Sequence, residues 1–435
     1  VQKSVLSGCV SRDKIWAPRN QIELPEIFDF VELLLTNMLR PFLSPNKYIN
    51  TFARHFSGAP ITTVQPSDLS ALQGNITHVI DVRTPSEYEH DRVPQAINLP
   101  VLHQHQHHEV GTHYKGNPFQ ARKVGAAHVS NNIATMLDTF FQNHDATTCR
   151  PLIYCWRGGQ RSQSLAHVLS QIGYQTYLLQ GGYKSYRQQV VQSLKHIANK
   201  YTFVLLSGMT GSGKTKVLER LHRHGHQVID LEELAEHRGS LLGHTDGTRE
   251  RRQPSQKLFE TRVNDQLQAI PNANNIVWLE AESNKIGNVH IPTELWAAMK
   301  RSKRIALQVP IEERVRYTMK TYQYWMEESN RQELMGDAVL GRLKKTRGKE
   351  WCGRMVQLVQ DQRWADLVQC LLKDHYDVLY QENENRYRDK LIGEVVYVNA
   401  LDNDEQIDRL LLPEMERLVK TVVPEGHVAA ASAQQ

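Results

Sequence analysis

From about Thr63 onward, short apolar runs stop abruptly at a glycine, a charged residue or a cysteine. "HVIDV" (His78 to Val82), "PLIYC" (Pro151 to Cys155) and "TYLLQGG" (Thr176 to Gly182) each end in turn chemistry, and stretches with helical spacing such as "SLAHVLSQIG" follow them. Apolar runs of this length read as buried strands, and their alternation with amphipathic helices predicts an α/β domain around a parallel sheet. A second rhythm starts near Tyr201, where "YTFVLLSGMTGSGKTKVLERLHRHG" reads as strand, glycine loop and helix, and "HQVID" and "NNIVWLE" read as further strands. Three parts are therefore expected: an extension over 1–62, one α/β domain over 63–195 and a second over 196–435 that includes a C-terminal helical region. Within the extension, "IFDFVELLLTNMLRPFL" (Ile27 to Leu43) is interrupted by Asp29 and Glu32. It reads as an amphipathic core or docking helix rather than a membrane span.

Composition narrows this picture. A chain of 435 residues is too long for one ordinary core, and 40% hydrophobic with 23% charged residues is the balance of a globular protein with no membrane partner. The five cysteines (Cys9, Cys149, Cys155, Cys352, Cys370) are odd in number and widely spread, which fits a reducing compartment. The chain begins at Val1 without a signal-peptide pattern, so a cytoplasmic location is expected, or an organellar one if 1–62 carries a presequence remnant. A formal charge of +5 permits nucleic acid without demanding it.

The first candidate chemistry lies in "LIYCWRGGQRSQS" (Leu152 to Ser164). Gly158 and Gly159 let the chain curl so that backbone N–H groups face Cys155, and Ser162 is expected to cap the following helix. Those donors, the helix end and the flanking Arg157 and Arg161 all favour a thiolate, so Cys155 is expected to be nucleophilic near neutral pH. Cys149 is the one candidate resolving thiol. Two readings share this loop. One is the Cys-x5-Arg cradle of a phosphatase, with Arg161 on phosphate oxygens; the other is a rhodanese loop whose cysteine carries sulfur or selenium. Upstream, "HVIDVRTPSEYEHDRVPQAINLP" (His78 to Pro100) resembles the opening of a rhodanese domain, with Gln95 where that family usually has glycine.

The second candidate is G-x-x-x-x-G-K-[ST], with Gly208, Gly211, Gly213, Lys214 and Thr215 in place. Backbone N–H groups of such a loop converge on phosphate, Lys214 adds a point charge and Thr215 can hold Mg²⁺. Strand-end carboxylates at Asp230, Glu232, Glu280 and Glu282 are candidate partners for metal or substrate, with helix capping as their alternative role. Arg238 is a candidate phosphate contact or a surface residue. Basic runs at Thr248 to Lys257, Lys300 to Arg304 and Gly341 to Lys349 shift the balance toward a polyanion. Tyr322, Tyr324 and Trp325 offer stacking faces, with core packing the stronger reading. The histidine-rich "HQHQHHEVGTH" (His103 to His113) has one residue too many between His108-Glu109 and His113 for a zinc-helix motif, so no metal site is assigned and a solvated loop is expected.

These phrases in order, with "VGTHYKGNPFQARKVG", "LLQGGYKSYR", "IDLEELAEHRGS" and "WLEAESNKIGNVHIP", resemble the tRNA 2-selenouridine synthase family from about Thr63 onward. The resemblance implies a rhodanese-like domain followed by a P-loop NTPase-like domain. It also implies a transferase that replaces sulfur of wobble 2-thiouridine in tRNA by selenium from selenophosphate, by way of a geranylated intermediate made from geranyl diphosphate. Cys155 would then be the selenium-transfer residue, with Gly158, Gly159 and Arg161 shaping its cradle, while Lys214 and Thr215 would bind diphosphate. A rhodanese-type sulfurtransferase fused to a small-molecule kinase is the alternative.

Overall fold

A computed structural model describes residues 58–421 apart from 73, 197–199, 238–252, 271–275, 282, 337–339 and 397–402. The helix expected at Ile27 to Leu43, Cys9, Arg238, Glu282 and the first half of the basic run 248–257 lie outside the described residues. From Ala59 onward the chain forms one compact unit.

The first sheet is built from β1 (Ile61–Val64), β2 (His78–Asp81), β3 (Ala96–Asn98), β4 (Pro151–Tyr154) and β5 (Thr176–Leu179), in the order β1-β5-β4-β2-β3. Every pairing is parallel. β1 starts two residues inside the stretch assigned to the extension. Its helices are α1 (Pro85–His90), α2 (Gln104–Gly116), α3 (Pro118–Thr139), α4 (Gln160–Gln171) and α5 (Gly182–Lys195). The unbroken apolar run of β4 follows from its central place. Leu152 and Tyr154 enter one core while Ile153 enters another on the opposite face with Ile80, Leu165 and Leu169, so neither face meets water.

The second sheet comprises β6 (Thr202–Gly208), β7 (Gln227–Ile229), β8 (Ile276–Glu280), β11 (Lys303–Gln308) and β12 (Leu391–Val396), again parallel, in the order β12-β11-β6-β8-β7; β9 (Lys285–Ile286) and β10 (Val289–His290) form a small hairpin beside it. The helices are α6 (Lys214–Arg223), α7 (Leu231–Leu234), α8 (Gln256–Ala269), α9 (Thr293–Arg301) and α10 (Ile311–Thr321). Between β11 and β12 a helical subdomain intervenes, including α11 (Glu328–Met335), α12 (Lys344–Arg347), α13 (Lys349–Gln360), α14 (Trp364–Cys370) and α15 (Asp377–Arg386). It packs around its own core of Trp325, Leu334, Leu343, Trp351, Met355 and Leu367. The helical region is thus inserted before the last strand, and Leu412–Lys420 then closes over that strand's side of the sheet.

The two sheets share a core. Tyr183, Tyr186 and Val190 of α5 belong to one apolar cluster with Phe203, Leu205, Phe259 and Val263 from the second domain. Polar ties reinforce this seam: Arg187 ion-pairs with Glu260, and its Nη1 donates to the Lys257 carbonyl at 3.1 Å. A continuous apolar seam holds two domains far more rigidly than a wet linker does.

The histidine-rich stretch corrects one expectation. It forms helix α2, not a loop, with the His103 N–H donating to Gln106 Oε1 at 2.9 Å and Val110 lying against Gly125 of α3. None of its side chains is buried, so its solvation is as expected. The fall-off in helix propensity at Gly111 is outweighed by pairing with α3. No described helix is long and apolar enough to cross a membrane.

Candidate active site

Both candidate loops lie at the carboxyl ends of parallel strands, where this architecture places its ligands. Cys155 follows β4 directly and is 4% exposed. Its loop is held from two sides. Helix α4 begins at Gln160, with Gly159 at the capping position, so Ser162 lies within the first turn and does not cap the helix. Its hydroxyl instead lies within donating reach of Cys155 Sγ at 3.3 Å and of the Gly159 carbonyl at 3.1 Å. On the other side, the first N–H groups of α5 are aimed at the loop: Tyr183 N–H donates to the Cys155 carbonyl at 2.9 Å and Lys184 N–H to that of Trp156 at 3.0 Å.

Burial opposes ionisation of Cys155, but the Ser162 hydroxyl, the backbone N–H groups of Ser162 and Arg157 and the Arg161 guanidinium together hold its thiol below the ordinary cysteine value. Arg161 acts at a distance, because its guanidinium pairs with Glu87, Nη1 to Oε2 at 2.8 Å. Burial also opposes charge on Glu87, yet Arg161 and the Thr84 N–H hold its carboxyl below the usual range. Arg157 contributes its backbone; its side chain and that of Trp156 are exposed beside the thiol, Trp156 tilted against Tyr183 at 5.2 Å. Cys149 lies before β4 and Cys155 after it. Six residues of extended chain separate them by about 20 Å, so Cys149 is not placed to resolve a bond formed at Cys155. It is buried near His78, Sγ to Nδ1 3.6 Å.

Gly182, within "LLQGGYKSYR", carries no chemistry of its own, and tertiary contact explains its presence. At φ +60° a Cβ there would lie 2.3 Å from the Cys155 carbonyl oxygen and 2.5 Å from the Gly158 nitrogen. Gly182→Ala is therefore expected to cost about 2–5 kcal/mol by strain and overpacking. A thermal melt and the alkylation rate of Cys155 check this; a melt and a rate like the wild type's would show that the two loops are not interlocked.

The phosphate loop runs from Gly208 to Thr215 between β6 and α6. Gly211, at φ +79°, sits where a Cβ would meet Thr318 Oγ1 at 2.5 Å, so the loop is pressed against α10. From α10, Arg314 donates to the Thr210 carbonyl at 3.1 Å and is itself gripped by Asp377 at 2.8 Å. Lys214 is buried, donates to the Gly208 carbonyl at 3.0 Å and lies 3.4 Å from Glu280 Oε1. Thr215 Oγ1 is 3.5 Å from Glu280 Oε2. Glu280 is thus the carboxylate brought to the loop, because β8 lies beside β6 with Glu280 opposite Leu206. Asp230 caps α7, accepting from Glu233 N–H at 2.9 Å; burial raises its carboxyl above the ordinary range, partly offset by the N–H groups of Glu233 and Glu232.

Asp230, Glu232, Glu280 and the loop form one wall of a cavity of about 830 Å³; Trp296, Tyr317, Tyr322, Tyr376, Tyr380 and Tyr387 line much of the rest. A narrow recess of about 50 Å³ adjoins it, sharing Thr210, Thr318, Tyr322 and Tyr376, and its remaining wall is apolar, with Trp325, Trp364, Leu367 and Leu372. Of this wall the sequence singles out Tyr322; the other tyrosines come from segments far apart in the chain. Trp325 is buried and Tyr324 half-buried against the helical subdomain, which favours core packing for those two, while Tyr322 also lines the cavity.

The basic runs behave unequally. Arg304 is buried, its guanidinium 3.8 Å above the Tyr387 ring, and Arg347 donates to the His375 carbonyl at 3.2 Å. Lys300, Arg301, Lys344 and Lys345 are exposed. As polyanion faces, these two runs are therefore shorter than their sequences suggest.

Comparison with known proteins decides the family. Residues 201–399 match the tRNA 2-selenouridine synthase AAA domain, and residues 65–189 match the rhodanese-like domain. A tRNA 2-selenouridine synthase of Sulfurovum sp. is 34% identical over 261 residues, 59% of this chain and 69% of the relative. One of Marinobacter nauticus is 31% identical over 330 residues, 70% of this chain and 88% of the relative. The chain belongs to the tRNA 2-selenouridine synthase family. Among solved structures, the N-terminal domain of a Clostridium difficile 630 protein is 37% identical, covering 30% of this chain and 98% of that one with a TM-score of 0.27. Family membership favours the rhodanese reading of the cysteine loop over the phosphatase one, and Arg161 is engaged by Glu87 in the position where a phosphatase would use it on phosphate oxygens.

Proposed function

We propose that this protein replaces the sulfur of a wobble 2-thiouridine in tRNA by selenium from selenophosphate, through a geranylated intermediate. The observation that carries the reading is the pairing, in one body with a shared core, of a thiol held toward its thiolate and a phosphate loop that opens into an aromatic cavity. A diphosphate suits the N–H groups and Lys214 of the loop, while the aromatic wall and apolar recess suit a hydrocarbon chain.

In the first step the thiouridine sulfur attacks C1 of geranyl diphosphate; an S–C bond forms, the C–O bond breaks and diphosphate leaves toward Lys214. In the second, the Cys155 thiolate attacks phosphorus of selenophosphate; an S–P bond forms, the P–Se bond breaks, and the hydrogen selenide released attacks C2 of the base, so that a C–Se bond forms, the C–S bond breaks and the geranyl thiolate departs, taking a proton from water. Water then cleaves the S–P bond, releasing phosphate and restoring the thiol. Mg²⁺ on a phosphate loop asks for little more than one hydroxyl and one carboxylate, which Thr215 and Glu280 supply, and it would add positive charge beside the leaving diphosphate.

Mass spectrometry of wobble nucleosides from cells lacking this protein, grown with selenium, tests the proposal. Selenouridine should vanish and 2-thiouridine should accumulate, both restored by the full chain. Selenouridine persisting at its normal level would overturn it.

A further inference from the structure

The hairpin formed by α2 and α3 has no part in either site, yet it starts beside one of them. The Ser86 hydroxyl donates to Gln104 Oε1 at 2.6 Å, and the next residue, Glu87, holds Arg161 of the cysteine loop. From there α2 runs for 13 residues, about 20 Å, before the chain turns at Asn117 into α3. No side chain of α2 is buried, and residues 111–120 are all exposed. Helix α2 is held by α3, yet it puts no side chain into a core, so its polar surface stays open to a ligand. At the tip Phe119 is 71% exposed and Tyr114 54%. Around them stand Lys115, Arg122 and Lys123, all exposed. The carboxylate in 103–123 is Glu109, engaged by His128 at 3.0 Å.

We propose that this hairpin is an RNA-binding arm: Lys115, Arg122 and Lys123 contact backbone phosphates, and Tyr114 and Phe119 stack on unpaired bases. Cations interleaved with exposed aromatic rings, with Glu109 already engaged by His128, suit a single-stranded or looped polyanion. The inference rests on the tRNA reading above and extends it, by placing the substrate on the rhodanese-like side and extending from the Cys155 edge.

The test uses the full chain and a fluorescently labelled tRNA transcript, titrated between 0.05 and 0.2 M salt, roughly the range over which phosphate contacts reveal themselves. K115E/R122E/K123E should weaken binding about 100-fold and flatten the log–log salt slope by about 2 to 3. Y114A/F119A should weaken it about tenfold with the slope unchanged, as expected of stacking. Both should keep the wild-type melting temperature and Cys155 alkylation rate, since these side chains are exposed and outside the two sites. Wild-type protein that binds tRNA while both variants bind it equally well would overturn the arm alone. Wild-type protein that does not bind tRNA would overturn the tRNA reading and the arm with it. Unchanged tRNA binding together with loss of a co-purifying protein would make the hairpin a protein-docking element instead, and would equally overturn the proposal.

Discussion

Cys155→Ser is expected to lower selenium incorporation by about 10³-fold or more, because a serine hydroxyl stays protonated where the thiol ionises and the step depends on one nucleophilic atom. Binding of tRNA should change by no more than about 1 kcal/mol, since one buried thiol adds little to a wide polar interface. Cells carrying the variant should accumulate geranylated 2-thiouridine, which separates a block at Cys155 from failure of the earlier step. Selenation at the wild-type rate would remove Cys155 from the reaction. The loop geometry adds a pH signature. A thiol held below its ordinary value is already reactive at a pH where a free cysteine is mostly protonated, and its reactivity falls as pH drops through the value set by the fold. Ser162→Ala removes the side-chain donor at 3.3 Å, so the alkylation profile should move to higher pH. An unmoved profile would assign the lowered value to the backbone donors and Arg161 alone.

Lys214→Ala is expected to weaken geranyl diphosphate binding by about 1.5–3 kcal/mol, the scale of a charge-assisted contact in a buried setting, and to leave 2-thiouridine unmodified in cells. The variant also leaves Glu280, 4% exposed, without the cation beside it, and breaking a buried pair in this way costs about 3–5 kcal/mol. A lowered melting temperature should therefore accompany the loss of binding. The double variant Lys214→Ala/Glu280→Gln separates the two effects: it should recover much of the stability and none of the affinity. Unchanged affinity by calorimetry in the single variant would mean that the loop serves a different ligand.

Much of this architecture is legible in the linear pattern, because the information is local. An apolar run that both faces of a sheet bury announces a strand such as β4 or β6, and a glycine loop between strand and helix announces a phosphate or thiolate cradle whatever surrounds it. Cys155, Lys214 and Thr215 are visible for that reason. The histidine-rich helix α2 was harder to see, since its helicity depends on α3 beside it and not on its own residues.

The linear pattern therefore establishes the two parallel-sheet domains, their order and the two loops at strand ends. Which distant residues complete those loops follows from packing. Ser162 acts on the thiol because α4 begins three residues earlier than a cap at Ser162 would require, and Gly182 lacks a side chain because α5 butts against the Cys155 loop. Asp230 and Glu280 both end a strand, yet strand order decides between them: β8 pairs with β6 and delivers Glu280 to Lys214, while β7 lies one strand further out and its carboxylate caps a helix. The aromatic wall is assembled from α9, α10 and the subdomain inserted before β12, segments that no window of sequence spans. Arg304 and Arg347 read as free surface charge until packing places one over Tyr387 and the other on the His375 carbonyl. In each case the deciding quantity is a through-space distance between groups remote in the chain, and local pattern carries no term for it.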